Sequence, residues 1–141
     1  MLKKLDKHTI DLAVCIASLE TQKQPARADE IGKVLLLSRD YVITLVSALK
    51  KAGIVTTVRG IKGGYRLSKQ VDGITLGDIV RATGGDTGII TDPTTKVLRE
   101  ALCASTDCFM DELSKVTVGD VVTPFKRMNS KVIKQVTGDR K

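Results

Sequence analysis

Apolar residues recur along the first half of the chain at three- and four-residue intervals. Each block stops at a glycine, a proline or a capping residue, which predicts short amphipathic helices. From about Asp6 to Leu19 the stripe is Ile10, Ala13, Val14 and Ala17, joined by Ile16 and Leu19, with Lys7, Asp11 and Ser18 outside it. Thr21–Gln24 and Pro25 break the pattern. A second short helix is expected from Ala28 to Val34, burying Ile31, Val34 and Leu35. The run Leu35–Leu37 is too apolar for a free loop and is expected to pack into a tight turn. A third helix opens at Ser38, a good N-cap, with Asp40 in the first turn where the helix dipole favours it. Val42, Leu45, Val46 and Leu49 form its buried face, Lys50 and Lys51 sit in its last turn, and Gly53 stops it. Three helices in quick succession, the last two joined by a very short turn, read as a helix-turn-helix core.

The period then changes. Ile54–Arg59 and Tyr65–Ser68 are β-branched or aromatic runs separated by a loop with glycine at 60, 63 and 64, a hairpin signal. Ile74 to Thr83 returns to a helical pattern, with Thr75 and Asp78 spaced as a capping box. Residues 84–92 read as a connection. Asp92-Pro93 opens a long helix to about Lys115, along which Leu98, Ala101, Leu102, Ser105, Cys108, Phe109 and Leu113 trace a small-and-apolar stripe. Ile74-Thr-Leu-Gly-Asp-Ile-Val80 is echoed by Val116-Thr-Val-Gly-Asp-Val-Val122, which predicts two identically capped short helices rather than a domain repeat. The expected architecture is mainly α with a small β-hairpin wing. Residues 1–83 form a winged helix-turn-helix domain, 84–122 a linker, dimerisation helix and short capping helix, and 123–141 a basic, mobile tail.

Charge sharpens this picture. The chain carries a formal +7, and residues 1–83 hold 14 basic and 8 acidic side chains against 9 and 8 in the remainder. From Lys50 to Val71 there are six Lys or Arg (Lys50, Lys51, Arg59, Lys62, Arg66, Lys69) and no Asp or Glu. An excess concentrated on the hairpin is an electrostatic footprint for phosphate, the alternative being a solvated basic surface. With 42% hydrophobic and 28% charged residues and a mean hydropathy of +0.01, the chain falls in the globular class. No apolar run approaches the roughly 18–20 residues that span a bilayer, and the N-terminus lacks a secretory pattern. A cytoplasmic protein without membrane contact is expected.

The residues Asp40-Tyr41-Val42, Leu49-Lys-Lys-Ala-Gly-Ile-Val55, Val58-Arg-Gly-Ile-Lys-Gly-Gly-Tyr-Arg-Leu67 and Ile74-Thr-Leu-Gly-Asp-Ile-Val80 together resemble the Rrf2 (Rrf-two) family of bacterial winged-helix transcription regulators. The likeness covers roughly residues 1–122, and the Val-Arg-Gly-x-x-Gly-Gly-Tyr string is its most specific part. That family includes an iron–sulfur cluster regulator, a nitric-oxide-sensing repressor and a cysteine-metabolism repressor. The resemblance implies a homodimer joined through the helix Asp92–Lys115, each subunit offering one helix to a major groove of double-stranded DNA and its wing to a neighbouring minor groove. The stripe itself points the same way, since a long apolar-faced helix with little domain behind it needs a partner surface.

On this reading Ser38, Arg39 and Tyr41 lie at the end of the third helix that reaches base edges, with Thr44 one turn on. Arg39 suits guanine; Tyr41 either donates to a phosphate or packs on the second helix. Where some family members carry a base-reading Glu, this chain has Ile43, which suits a thymine methyl. Arg59, beside Gly60, fits a narrow minor groove. Gly63 and Gly64, ahead of Tyr65, either allow positive φ and close approach to phosphates or simply turn the hairpin. Lys50, Lys51, Lys62 and Arg66 are phosphate candidates.

Cys15, Cys103 and Cys108 are too few and too irregular for a disulfide framework. Cluster-bearing relatives carry three cysteines in the loop before the dimer helix, and residues 84–92 hold none. Cys103 and Cys108 are separated along a helix by a rise of about 7.5 Å and a turn of about 140°. They cannot form an intrahelical disulfide or share a metal there. All three are expected to be buried, inert thiols, the alternatives being a redox role for Cys108 with Cys103 and, as the poorest, an iron–sulfur cluster. No cofactor and no metal is expected. The sole histidine, His8, makes no catalytic dyad, and no phosphate loop follows a strand, so an enzyme is the poorest reading. The expected function is a sequence-specific DNA-binding regulator, a homodimeric repressor on a pseudo-palindromic operator. The alternative is a winged-helix module that docks another protein, and the signal stays open among a small molecule, a protein effector and thiol oxidation.

Overall fold

A computed structural model describes residues 4–82 and 111–138, with side chains from His8 onward. Its elements are α1 (Lys4–Leu19), α2 (Ala28–Leu35), α3 (Arg39–Lys51), β1 (Val55–Val58), β2 (Gly64–Leu67), a 3₁₀ turn (Val71–Gly73), α4 (Leu76–Ala82), α5 (Val118–Met128) and α6 (Ser130–Gly138). Residues 111–115 are also helical, and 83–110 lie outside the described residues. The helix expected over Asp92–Lys115 is therefore described only at its last turn, where Leu113 is half-buried.

The organising element is α1. Leu12, Ala13, Val14, Cys15 and Ile16 are five consecutive residues no more than 1% exposed. α1 packs against α2, α3, α4, β2 and α5. The single stripe expected there is corrected: Ser18, placed outside it, is 8% exposed, and its hydroxyl donates to the Val14 carbonyl at 2.8 Å. Periodicity within one segment cannot register that α5, about a hundred residues later, packs on this helix.

Local chemistry sets the ends of the remaining elements. The Glu30 carboxylate accepts from the Arg27 N–H at 3.0 Å and closes the start of α2. α2 ends at Leu36, whose φ of 57° makes it the one non-glycine residue with positive φ among the described residues. Leu36 is 88% exposed while Leu35 and Leu37 pack on the core, so the turn buries two of the three leucines expected there. Gly32 is needed at this turn, because a Cβ there would lie 2.7 Å from the Leu37 carbonyl oxygen. Ser38 caps α3 by accepting from the Tyr41 N–H at 3.2 Å.

β1 and β2 pair antiparallel in the register Val55↔Leu67, Thr56↔Arg66, Thr57↔Tyr65 and Val58↔Gly64. Ala26 adds a bridge on the other side of β2, with Tyr65 N–H donating to the Ala26 carbonyl at 2.7 Å and Ala26 N–H to the Tyr65 carbonyl at 3.0 Å. The hairpin is thus anchored to the loop before α2.

Both capping boxes form. Thr75 N–H donates to Asp78 at 3.0 Å and Thr117 N–H to Asp120 at 3.0 Å, and each aspartate N–H returns a bond to the threonine hydroxyl. The two boxes also meet: Thr75 bridges Thr117, with Leu76 N–H to Val116 O and Val118 N–H to Ile74 O, each at 2.8 Å. This clamp returns the chain to the winged domain after residue 110.

The mobile tail expected over 123–141 is corrected as far as residue 138. α5 continues through Pro124 to Met128, and α6 buries Val136 at 3% exposure. Proline removes one helical hydrogen bond, but Val121, Val122 and Phe125 pack on the core and hold α5 against α1. Tertiary burial outweighs the local break.

Candidate nucleic-acid interface

The exposed N-terminal end of α3 and the hairpin enclose a groove of about 340 Å³. Arg39 enters it from α3, Arg27 and Asp29 from the start of α2, and Thr57, Ile61 and Tyr65 from the wing, around Gly60, Gly63 and Gly64. Arg59 and Lys62 stand exposed on the same turn, and Ile61 is fully exposed at its tip. The wing is held at its base. Glu20 accepts from the Leu67 N–H at 3.2 Å; burial pushes its carboxyl above the ordinary range, while that N–H and Arg66 pull it back.

The structure brings Arg39, Gly60, Gly63, Gly64 and Tyr65 together on this groove. It places others elsewhere. Lys50 and Lys51 are exposed but lie about 16 Å along α3 from Arg39, at the carbonyl end, where they complement the helix dipole. Arg66 points its guanidinium at the loop before α2, donating to the carbonyls of Thr21 at 2.6 Å and Gln22 at 3.3 Å. It clamps that loop to β2 rather than standing free for phosphate.

Tyr41 is half-buried against the core. Its hydroxyl meets His8 Nδ1 at 2.9 Å and the two rings stack edge to face at 5.5 Å, so α1 orients it. Thr44 is exposed and donates its hydroxyl to the Asp40 carbonyl at 3.1 Å. Ile43 is 41% exposed on the same helix.

The glycines follow a different logic from the one expected. Among the described glycines positive φ occurs at Gly53 (76°) and Gly60 (121°), not at Gly63 or Gly64. A Cβ on Gly63 would strike the carbonyl oxygens of Val58 and Gly60, and one on Gly64 would strike that of Ala26. These two positions need glycine because the protein's own backbone passes against them. Arg27 and Ile61 are groove residues that sequence reasoning missed. Arg27 precedes a helix and Ile61 sits in a turn, so neither belongs to a periodic pattern.

Cys15 is completely buried; desolvation first, then the Asp11 and Glu30 carboxylates, push its thiol far above the ordinary range and keep it protonated. Cys103 and Cys108, with Leu98, Ala101, Leu102, Ser105 and Phe109, lie outside the described residues. Among the described residues no group of three His, Cys, Asp or Glu side chains could hold a metal ion, and no helix is long and apolar enough to cross a membrane.

The family described as Rrf2, iron-dependent transcriptional regulator, matches residues 6–124. The fold is similar to CymR (YrzC), the global cysteine regulator of B. subtilis, with a TM-score of 0.73 and 26% identity over 87% of this chain and 96% of that one. It is similar to the T. potens IscR, with a TM-score of 0.69 and 26% identity over 88% and 87% of the two chains. Staphylococcus aureus CymR gives a TM-score of 0.69 and 28% identity over 85% and 96%.

Proposed function

From the premise that this chain belongs to the Rrf2 family of DNA-binding transcriptional regulators, we propose that it is a sequence-specific repressor acting as a homodimer on a pseudo-palindromic operator. One observation carries the reading. The exposed end of α3 and a cationic, anchored wing flank a single groove, with Arg39, Arg59 and Lys62 making no ion pair among the described residues. Such a surface neutralises phosphates and leaves the α3 end to read bases.

In this reading Arg39 donates to guanine, and Ile43 and the Thr44 methyl favour thymine. Arg59 enters a minor groove whose narrowness concentrates negative potential. Two copies joined through the stripe from Leu98 to Leu113 present two such surfaces at a spacing of about one duplex turn. Family membership raises the matter of iron, but the described residues offer no ligand set, and Cys103 and Cys108 stand five positions apart. Residues 84–92, where cluster-bearing relatives carry their cysteines, hold none, and the chain acts as a cluster-free regulator. The effector is a small molecule, a protein or an oxidant of Cys108 and Cys103.

Operator fragments selected from a randomised duplex pool test the reading. Arg59→Ala is expected to weaken binding to the selected duplex by about 1–3 kcal/mol in a gel-shift titration. Unchanged affinity would remove the wing from the interface. Wild-type affinity is expected to fall by roughly a thousandfold or more between about 50 and about 200 mM salt, as for proteins that neutralise several phosphates. A flat response would assign this face to a protein partner.

A further inference from the structure

The family match ends at residue 124, and the chain beyond it is folded. α5 runs on to Met128, and α6 lays Val132, Ile133 and Val136 against the core while packing on α2. In helix-turn-helix proteins the element equivalent to α2 crosses the DNA backbone. An arm that docks on α2 is therefore carried toward the duplex beside the reading surface.

Its outward side has one sign of charge. Lys126 and Arg127 on α5 and Lys131 and Lys134 on α6 are all exposed. Between Val121 and Gly138 there is no Asp or Glu. Among the described residues none of these four joins an ion pair, whereas Arg81 and Lys115 pair with Asp78 and Glu112. A helix kept only for packing gains from mixed charges on its wet face, because opposite charges three or four positions apart stabilise it and like charges oppose it. A face of cations alone repels itself and gains when it meets a polyanion.

We propose that α6 is a second contact to the DNA backbone, additional to α3 and the wing. Lys131 and Lys134 neutralise phosphates flanking the operator, supported by Lys126 and Arg127. The contact carries no sequence information; it adds affinity, lengthens the footprint and steepens the salt dependence. This rests on the DNA-binding reading above.

The test compares the full-length wild type with a Lys131→Gln, Lys134→Gln double variant. The probe is a fluorescein-labelled mixed-sequence duplex of about 40 base pairs, titrated by anisotropy from about 50 to about 200 mM salt. Both lysines are exposed, so the variant is expected to keep the wild-type circular dichroism and melting temperature. The log–log salt slope is expected to fall by about 1.8, so that the affinity gap between the two proteins narrows about tenfold across that range. Arg59→Ala in the same assay should weaken binding with both lysines present, showing that the two contacts are separate. If wild type binds and the double variant keeps its slope, the α6 contact is overturned while the α3 and wing reading stands, and the basic face falls to an acidic protein surface. If wild type fails to bind any duplex, both are overturned.

Discussion

Leu45→Ala is expected to lower the unfolding free energy by about 2–5 kcal/mol, the range for truncating an enclosed leucine. Leu45 is completely buried on α3, and its neighbours Val42, Val46 and Leu49 are each no more than 2% exposed. α3 packs on α1 and α2, and α1 is itself enclosed over Leu12–Ile16, so little can collapse into the vacated space. A domain of this size has a total stability of about 5–15 kcal/mol, so the loss is a large share of it. Urea denaturation followed by circular dichroism measures it, and the melting temperature should fall on the order of 10 °C. Leu45→Met nearly conserves volume and should cost less than about 1.5 kcal/mol. Equal losses for the two substitutions would mean that packing volume is not what Leu45 supplies. Operator affinity of the folded fraction should change little, because Leu45 faces away from the groove.

Gly64→Ala is expected to cost about 2–4 kcal/mol, combining strain in a packed hairpin with two weakened hydrogen bonds. A methyl group there runs into the Ala26 carbonyl oxygen, which is backbone and cannot rotate aside. The same carbonyl accepts from Tyr65 N–H at 2.7 Å, so relief of the clash pulls β2 away from the loop before α2. The wing would then lose its fixed position relative to Arg39. Operator affinity is expected to fall at temperatures where the variant remains folded, although Gly64 offers DNA no side chain. Thermal melts together with anisotropy titration of folded protein separate the two effects. A variant as stable as wild type would refute the close approach at Ala26, and a destabilised variant with full affinity would show that wing placement does not matter to binding.

These two residues illustrate how legibility divides along the chain. Leu45 was readable as core because it lies on a stripe with Val42, Val46 and Leu49, and helical period reports which side of a segment is apolar. Gly64 was readable as a hairpin glycine, but not for the right reason. Its requirement comes from Ala26, far away in sequence, and no local pattern encodes that carbonyl. Arg66 and Tyr41 show the same dependence on distant segments. Both are polar residues on elements that face outward, yet Arg66 is tied to Thr21 and Gln22 and Tyr41 to His8. The segment after Pro124 failed for the opposite reason. Its local signals are weak, and its helices exist because α1 and α2 offer surfaces to cover.

The sequence by itself determined the winged helix-turn-helix order, the caps at Ser38, Thr75 and Thr117, the register-setting glycine loop and the concentration of positive charge on the hairpin. Each of these is a short-range property, decided by dihedral preference, capping hydrogen bonds and apolar period within a dozen residues. Tertiary structure alone decided that α1 is enclosed over Leu12–Ile16, that the two capping boxes clasp each other, that the wing hangs from Ala26, and that α6 docks on α2. Those outcomes depend on which surfaces meet. Burial and backbone pairing between distant segments select the partner only when the whole chain is assembled.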